Sequence, residues 1–271
     1  MANELNNENY FNTENNMKYM SASQFKDFEE CEVEALAKAK GEYIEEKSNA
    51  LLFGSYVDAY FSNELEQFKA NNPDMFNSKT GELKAPFKNI EDVIKATEND
   101  KLLMEYLSGK KQVVMTGEIA GVPFKIKVDS LLDYFIVDQK IIASINERVW
   151  VEDNGKNVKV DFIQAFGYAI QGAIYQEVVR QNTGKTLPFV LAVTTKEENP
   201  DKALINIDQD VLDISLERVK EKAPRYDLIK KGKIKPIGCG KCACCRKDKV
   251  LTEVVSYKEL FNLNESENVN E

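Results

Sequence analysis

Apolar and polar residues alternate along the middle of the chain with a period of two. Successive side chains of a β-strand point to opposite faces of a sheet, so this pattern is typical of strands with one buried face. It predicts three consecutive strands at Gln112–Glu118, Val122–Leu132 and Tyr134–Ile142. Two further apolar segments, Phe189–Thr195 and Ala203–Ile207, have the length and composition of strands.

Apolar residues with the 3.6-residue period of a helix stand on both sides of these strands. Ser21 with Gln24 three residues later is typical of a helix N-terminus, and that helix is expected to end near Glu46. Further helices are predicted at Ala50–Phe61, Asn89–Ser108, Asp161–Gln181 and Val211–Lys231, with loops at 71–86 and 146–158. The order α-β-β-β-α-β-β predicts an α/β fold with a mixed central sheet flanked by helices.

At 271 residues the chain is long enough for one sizeable core. We expect one domain at 21–250, made of a helical part at 21–110, an α/β core at 111–210 that carries the candidate chemistry, and a basic Cys-rich segment at 211–250. Residues 1–20 are rich in Asn and Glu and predict a disordered tail. The prediction for residues 251–271 is an acidic tail.

Lysine and arginine are concentrated in one segment although the chain is acidic, with a net charge of −9. Between Arg218 and Lys249, twelve Lys or Arg stand against three Asp or Glu. A run of one sign is usually a solvated surface, but a basic segment can also follow a phosphate backbone. Nucleic acid is therefore a candidate partner in spite of the acidic total.

The chain contains no histidine. This excludes Ser-His-Asp and Cys-His catalysis, HExxH metal sites and Cys₂His₂ fingers. No apolar run approaches the ~20 residues that span a membrane, and the polar, acidic N-terminus is unlike a secretory signal. We expect a soluble protein of the cytoplasm, with no membrane partner.

Three charged residues of the predicted strands have a spacing suited to metal-dependent chemistry. They stand as Asp129, eight residues, Asp138, one residue and Lys140. A tight turn near Asp133 would place the two aspartates opposite each other on one face of a hairpin. Gln139 would offer a cation its backbone carbonyl, and hard cations such as Mg²⁺ prefer oxygen ligands of this kind.

Lys140 would then lie beside a metal-bound water, an arrangement suited to phosphodiester hydrolysis. The alternative is an amphipathic strand that carries its charges on the solvent face, because Asp-x-Lys is a common triplet.

The predicted helix at 161–181 carries Tyr168, Gln171 and Tyr175 on one face. The functional interpretation is that the Gln amide and a Tyr hydroxyl reach the hairpin, where they brace Lys140 or contact a DNA phosphate. The alternative is ordinary amphipathic packing. This alternative is the more common one for any single residue.

Two acidic residues upstream of the hairpin are further candidates. Asp58 follows Gly54 in a predicted helix and could complete the metal site, although an exposed helical aspartate is the plainer interpretation. Glu118 precedes Asp129 on the neighbouring strand and ranks lower, because no fixed spacing connects it to the other residues.

Four of the five cysteines stand close together, as Cys239, Cys242, Cys244 and Cys245. The x₂ spacing of Cys239, Cys242 and Cys245 is typical of metal ligands, and three thiolates are one short of a closed tetrahedral site. Cys31 is the expected fourth ligand, and Cys244 could replace a neighbour. Both an iron–sulfur cluster and Zn²⁺ fit four cysteines, and we expect the contribution of the site to be structural.

Together these residues resemble phage-type PD-(D/E)XK exonucleases of the RecE (exodeoxyribonuclease VIII) and RecB-nuclease group, over about residues 21–251. The pattern of that group is G-x-x-x-H, a strand Asp, D-x-K and Q-x-x-x-Y. It is matched by Gly54–Asp58, Asp129, Asp138–Lys140 and Gln171–Tyr175. One departure is that Asp58 stands where the group has histidine, which changes the charge and hardness of that ligand.

The resemblance implies a restriction-endonuclease-like core and Mg²⁺ or Mn²⁺ as the cofactor. The implied metal ligands are Asp58, Asp129, Asp138 and the Gln139 carbonyl, and the implied catalytic set is Asp129, Asp138, Lys140, Gln171 and Tyr175. A subset of the group holds a [4Fe–4S] cluster with one N-terminal and three C-terminal cysteines, which Cys31, Cys239, Cys242 and Cys245 match.

The implied activity is 5′-to-3′ degradation of linear double-stranded DNA from its ends. It would leave 3′ single strands for phage recombination, with a single-strand annealing protein as a partner. Related processive exonucleases form rings, so a homo-oligomer is one expectation. Two alternatives stay open: an endonuclease or single-strand end-trimming nuclease of the same fold, and a decayed nuclease that binds DNA or a partner protein.

Overall fold

The centre of the protein is a five-stranded mixed sheet. The computed structural model describes residues 4–153, 156–247 and 249–260. Its strands are β1 Lys110–Ile119, β2 Val122–Leu131, β3 Ile136–Ile142, β4 Val149–Asp153, β5 Lys156–Val160, β6 Phe189–Thr195 and β7 Lys202–Asn206. The sheet order is β1-β2-β3-β6-β7, and β4 and β5 form a separate two-stranded hairpin.

Helices cover both faces of this sheet. They are α1 Thr13–Lys18, α2 Ala22–Glu30, α3 Glu32–Lys40, α4 Asn49–Phe61, α5 Leu65–Asn71, α6 Ile90–Glu98, α7 Lys101–Tyr106, α8 Phe162–Ala165, α9 Tyr168–Thr183, α10 Gln209–Lys230, α11 Ala243–Lys247 and α12 Tyr257–Leu260. Two 3₁₀ turns occur at Pro73–Met75 and Ala85–Phe87. No helix in the described ranges is long and apolar enough to cross a membrane.

Strand β6 is buried along its whole length, which explains its continuous apolar run. On β6, Phe189 and Leu191 join the main core with Ile174 of α9, whereas Val190 faces a smaller cluster with Leu103 of α7. β3 pairs with β6 in parallel, while the β1–β2, β2–β3 and β6–β7 pairs are antiparallel. The predicted α/β fold with a mixed sheet is therefore confirmed.

β2 and β3 separate soon after the turn that joins them. They pair at only two positions, Leu131 with Ile136 and Ser130 with Val137. The edge of β2 that β3 leaves is occupied by Met20, whose N–H donates to Pro123 O and whose carbonyl accepts from Lys125 N–H at 2.8 Å each. The separation opens a gap in the sheet between α4 and α9, and the candidate residues lie there.

The prediction of a disordered tail over 1–20 is wrong for the described residues 4–20. Tyr10 is buried, and the α1 helix is capped by the side chain of Asn12. Lys125 of β2, only 1% exposed, donates to the Tyr10 carbonyl and to Asn16 Oδ1. An Asn-rich composition suggested too little apolar surface for folding, but a buried lysine supplies polar contacts that composition does not reveal.

Three predicted helices are each divided, the one at Asn89–Ser108 into α6 and α7, and one predicted loop is a hairpin. The helix from Ser21 is capped by the Ser21 side chain, but it ends at Glu30 because Cys31 is extended, with φ −161°. The helix predicted over 161–181 is broken at Gly167, whose φ of 61° is left-handed. The loop predicted at 146–158 contains β4 and β5 instead. Residues 261–271 of the predicted acidic tail lie outside the described ranges.

Candidate functional site

The gap between β2 and β3 is the floor of an open cleft of about 510 Å³. α4 borders it on one side and α9 on the other, and residues 10 and 11 of the N-terminal segment lie at its rim. The polar residues that line it are Asp58, Asp129, Asp138, Gln139, Lys140, Gln171 and Tyr175, together with Lys26, Lys127 and Tyr168. Every predicted metal ligand and catalytic residue thus lines the same cleft.

Asp138 is the most completely enclosed of the three carboxylates, with 2% of its surface exposed. Gln171 of α9 donates its amide to Asp138 Oδ1 at 2.6 Å. Lys140, two residues along β3, forms an ion pair with Oδ2 at 2.5 Å. The one-residue spacing of Asp138 and Lys140 puts both side chains on the same face of the strand.

Asp129 is held by the backbone of the strand opposite. Its Oδ2 accepts the N–H of Gln139 at 3.0 Å across the gap, and its Oδ1 lies 3.5 Å from the amide nitrogen of Gln112. The same Gln112 nitrogen lies 3.4 Å from Asp58 Oδ1. Asp58 comes from α4, so three secondary-structure elements bring the carboxylates together.

The pKa values of Asp129 and Asp58 reflect their burial and the charges around them. Burial, together with the charges of Asp138 and Asp58, raises the pKa of Asp129 well above its ordinary value. Burial also raises the pKa of Asp58, against the opposing effect of Lys127. Burial alone would lower the pKa of Lys140, but Asp138 and Asp129 outweigh it and the net shift is upward. Lys140 is therefore a permanent cation beside crowded carboxylates.

The donor set fits a divalent cation. Three carboxylates line the cleft, and the buried Asp138 Oδ2 has the Lys140 ammonium as its contact among the described residues. A hard, oxygen-bound ion such as Mg²⁺ would relieve the repulsion that raises the carboxylate pKa values. The cleft is also open enough to leave room for waters, which Mg²⁺ usually keeps.

The remaining predicted residues differ in what they contact. Tyr175 lines the cleft, but its hydroxyl donates to the backbone carbonyl of Lys127 at 3.1 Å and so joins α9 to β2. Tyr168 lies under Lys140, whose ammonium is 5.1 Å from the ring centroid. Glu118 stands at the far end of the β1–β2 hairpin, paired with Pro123, and is not part of the cleft lining.

A second cluster joins the two ends of the chain. The Sγ atoms of Cys31, Cys239, Cys242 and Cys245 all lie within 4.8 Å of one another. Cys31 Sγ is 3.7 Å from Cys242 Sγ and 3.6 Å from Cys245 Sγ. The extended backbone of Cys31, which divides the predicted helix, places it at this cluster. Cys244 is not part of the cluster.

The loop around Cys239 favours a thiolate. The N–H groups of Cys242 and Lys241 point at Cys239 Sγ from 3.2 and 3.4 Å. These donors lower the pKa of the Cys239 thiol to about 7. A metal binds thiolates rather than thiols, so the four sulfurs and this loop together fit a metal centre.

Six of the twelve lysines and arginines of the basic segment form ion pairs within the described part of the protein. Arg218 and Lys222 both pair with Glu29, and Arg225 pairs with Glu32. Lys241 pairs with Glu152 of the β4–β5 hairpin. The segment therefore joins α10 and the cysteine loop to the rest of the fold, and the lysines of the cleft are better placed to meet a phosphate.

Several residues of the cleft were not predicted from the sequence. Gln112 contacts two carboxylates, but a glutamine within an alternating strand carries no signal of such a role. Phe11 and Lys127 form a rim, with the Lys127 ammonium 5.2 Å from the Phe11 ring centroid. Lys127 was visible on the polar face of its strand, whereas Phe11 belongs to the segment predicted as disordered.

Comparison with known proteins agrees with this geometry. Residues 21–248 match a family described as a "PDDEXK-like domain of unknown function (DUF3799)". The chain is similar to a "Putative exonuclease" from Eubacterium rectale with a solved crystal structure, at 45% identity and a TM-score of 0.89. That match covers 96% of this chain and 98% of the other.

No curated protein matches the chain. The family match nevertheless confirms the PD-(D/E)XK resemblance drawn from the strand and helix motifs, because it spans residues 21–248 and so contains all of them. The chain belongs to the family of PDDEXK-like domains.

Proposed function

We propose that the protein is a divalent-metal-dependent deoxyribonuclease that degrades linear double-stranded DNA from its ends. The observation that carries the proposal is the meeting of Asp58, Asp129 and Asp138 with Lys140 in one open cleft. Membership of a PDDEXK-like family supports metal-dependent nuclease chemistry, and the 45% identical structural relative supports an exonuclease.

In this proposal the three aspartates hold Mg²⁺ or Mn²⁺, with the Gln139 carbonyl as a further ligand. The ion would supply Lewis-acid stabilisation of charge on the attacking and leaving oxygens. Lys140, held by Asp138, orients the attacking water and offsets negative charge at the phosphorus. Gln171 fixes the Asp138 carboxylate through its 2.6 Å hydrogen bond. Tyr175 keeps β2 in place by its contact with the Lys127 carbonyl.

The lining of the cleft suits a nucleic-acid strand. Lys26 and Lys127 flank the carboxylates and are suited to phosphate contacts. Phe11 at the rim is 70% exposed and presents an aromatic face on which a base can stack. The 5′-to-3′ polarity, and a role in supplying 3′ single strands to a phage annealing protein, rest on the resemblance to the RecE group.

The test is digestion of blunt linear duplex beside a covalently closed circle, in Mg²⁺ and in Mn²⁺. We expect metal-dependent loss of the linear DNA only, and none with Asp138→Asn. Labels at the 5′ or 3′ ends give the polarity. Cutting of the circle would select an endonuclease, and trimming of single strands alone would select the end-trimming alternative. DNA binding without turnover in either metal would select the decayed nuclease.

We also propose that the four cysteines hold one structural metal centre, either an iron–sulfur cluster or a tetrahedral Zn²⁺. The proposal is supported by four Sγ atoms that all lie within 4.8 Å of one another. Metal analysis after anaerobic purification, with absorbance near ~400 nm as the cluster signature, separates the two.

A further inference from the structure

Gln112 has an unusual backbone for a residue in the middle of a strand. Its φ is 50°, in the left-handed region that costs energy for residues other than glycine. Its neighbours pair regularly with β2, Lys111 with Ser130 and Val113 with Val128, so the distortion is confined to Gln112 itself. The partner it faces across the strand pair is Asp129.

The distortion places the Gln112 side chain between two carboxylates. Gln112 is 5% exposed, and its Nε2 lies 3.4 Å from Asp58 Oδ1 and 3.5 Å from Asp129 Oδ1. An amide nitrogen has two hydrogens, one for each carboxylate. The Gln112 Oε1 atom is buried without a hydrogen-bond partner among the described residues. The Gln112 side chain therefore leaves its Oε1 atom without a partner, and its polar contacts among the described residues are those of Nε2 with the two aspartates.

This arrangement lowers the stability of the fold, and a role at the cleft would explain why it is present. A strained backbone and an unsatisfied buried oxygen both destabilise the fold. Asp58 comes from α4 and Asp129 from β2, and these elements lie on different sides of the gap. Gln112 is the one neutral donor in the described residues that contacts both carboxylates, so it fixes their separation where their mutual repulsion would push them apart.

We propose that Gln112 is a positioning residue that sets the distance between Asp58 and Asp129 for binding a divalent cation. The proposal rests on the proposed metal-dependent function. A local backbone distortion with no role at the cleft is the competing explanation. Removing the strain of such a distortion would raise stability without changing metal binding, whereas removing a positioning residue would weaken metal binding.

Gln112→Gly separates these explanations, since glycine adopts positive φ without strain and has no amide side chain. We expect a higher melting temperature together with a Mg²⁺ half-saturation concentration raised at least tenfold, and a smaller change in kcat at saturating metal. Binding measured by calorimetry, and by the Mg²⁺-induced rise in melting temperature, gives a readout independent of cleavage. The matched control is Ala120→Gly in the exposed β1–β2 turn, because Ala120 also has a φ of 50°.

Gln112→Asn is the second variant. Asparagine tolerates the left-handed region and keeps an amide, but it is one methylene too short to reach both carboxylates. We expect weaker Mg²⁺ binding and no gain in melting temperature. Mg²⁺ binding by both variants within twofold of wild type would overturn the proposal. Failure of the wild-type protein itself to bind Mg²⁺ or cleave DNA would instead overturn the proposed function, so the two failures are distinguishable.

Discussion

The carboxylate cleft and the four-cysteine site both gather residues from distant parts of the chain, but they use charge in opposite ways. In the cleft, three carboxylates are crowded together and burial raises the pKa of Asp129 and Asp58. At the cysteines, backbone donors lower the pKa of Cys239, whereas burial raises the pKa of Cys242. The first site carries repulsion that a cation would relieve, and the second brings four sulfurs close enough to bind one metal centre.

Under the proposed function, this difference predicts that activity depends on the cleft and stability on the cysteines. The cysteine site joins α2, α3 and the loop after α10, which are separated by more than two hundred residues. The cleft joins strands and helices that already pack through their own cores. Damage to the cleft should therefore remove catalysis and spare the fold, whereas damage to the cysteines should do the reverse.

The largest expected effect comes from Asp138→Asn. The substitution keeps the size of the side chain and its contact with Gln171, but it removes the charge that pairs with Lys140. We expect DNA cleavage to fall by about a thousandfold or more, on the scale of losing a catalytic charge, while the metal content at the cysteines stays unchanged. Cleavage rate, melting temperature and metal content are measured on the same sample. Wild-type cleavage by the variant would contradict the assignment.

The next effect is the loss of stability in Cys31→Ser. A metal present at a thousand times its dissociation constant stabilises the folded state by about 4 kcal/mol, and removal of one of four ligands forfeits most of this. Denaturant unfolding with metal analysis measures the change. Cys244→Ser is the matched control and should behave like wild type, because Cys244 is outside the cluster. Equal loss of stability in both variants would show that the cluster has no special role.

A smaller effect is expected from Asp129→Asn in the metal-free protein. The pKa of Asp129 is raised in the folded state, so folding binds a proton, and stability falls as pH rises from the ordinary aspartate value through the folded value. Asp129→Asn removes this pH-dependent loss, so it should raise the free energy of unfolding at neutral pH by on the order of 1 kcal/mol. Unfolding followed across pH in a chelator checks the sign. In wild type, Mg²⁺ binding should strengthen over the same rise in pH, because the carboxylate deprotonates.

The smallest expected effect is that of Phe11→Ala on DNA binding. Base–aromatic stacking contributes about 1–3 kcal/mol per base, so we expect KM for DNA to rise about five- to a hundredfold with Mg²⁺ dependence unchanged. Tyr134→Ala is the control, because Tyr134 is also exposed, at 76%, but is not among the residues that line the cleft. An equal effect of both variants would remove Phe11 from the proposed DNA path.

The sequence was most informative where function follows from local geometry. Asp129, Asp138 and Lys140 meet because strand alternation and a short turn decide which side chains are opposite, and both are visible in the sequence. Gln171 follows from helical spacing in the same way. The two-residue spacing of the C-terminal cysteines is equally local, and Cys31 followed as the one other cysteine in the chain.

The failures came where a residue depends on a distant partner. The described part of the segment predicted as a disordered tail is held by Lys125 of β2, more than a hundred residues away in the sequence. Composition does not reveal such a partner. The basic residues of α10 appeared free because Glu29 and Glu32 are far away in sequence. The β4–β5 hairpin was missed although Asn154-Gly155 is a common hairpin signal.

The long-range contacts that hold residues 10–20 in place affect how the protein folds during its synthesis. Residues 10 and 11 lie at the rim of the cleft, and the segment at 10–20 is held by Lys125 and by Lys230, which donates to the Tyr19 carbonyl from 211 residues away. During translation residues 10–20 leave the ribosome before α10, so their contact with Lys230 forms only after α10 has been made. Such long-range closure slows folding. It also means that a nascent chain has no finished cleft until α10 has been made.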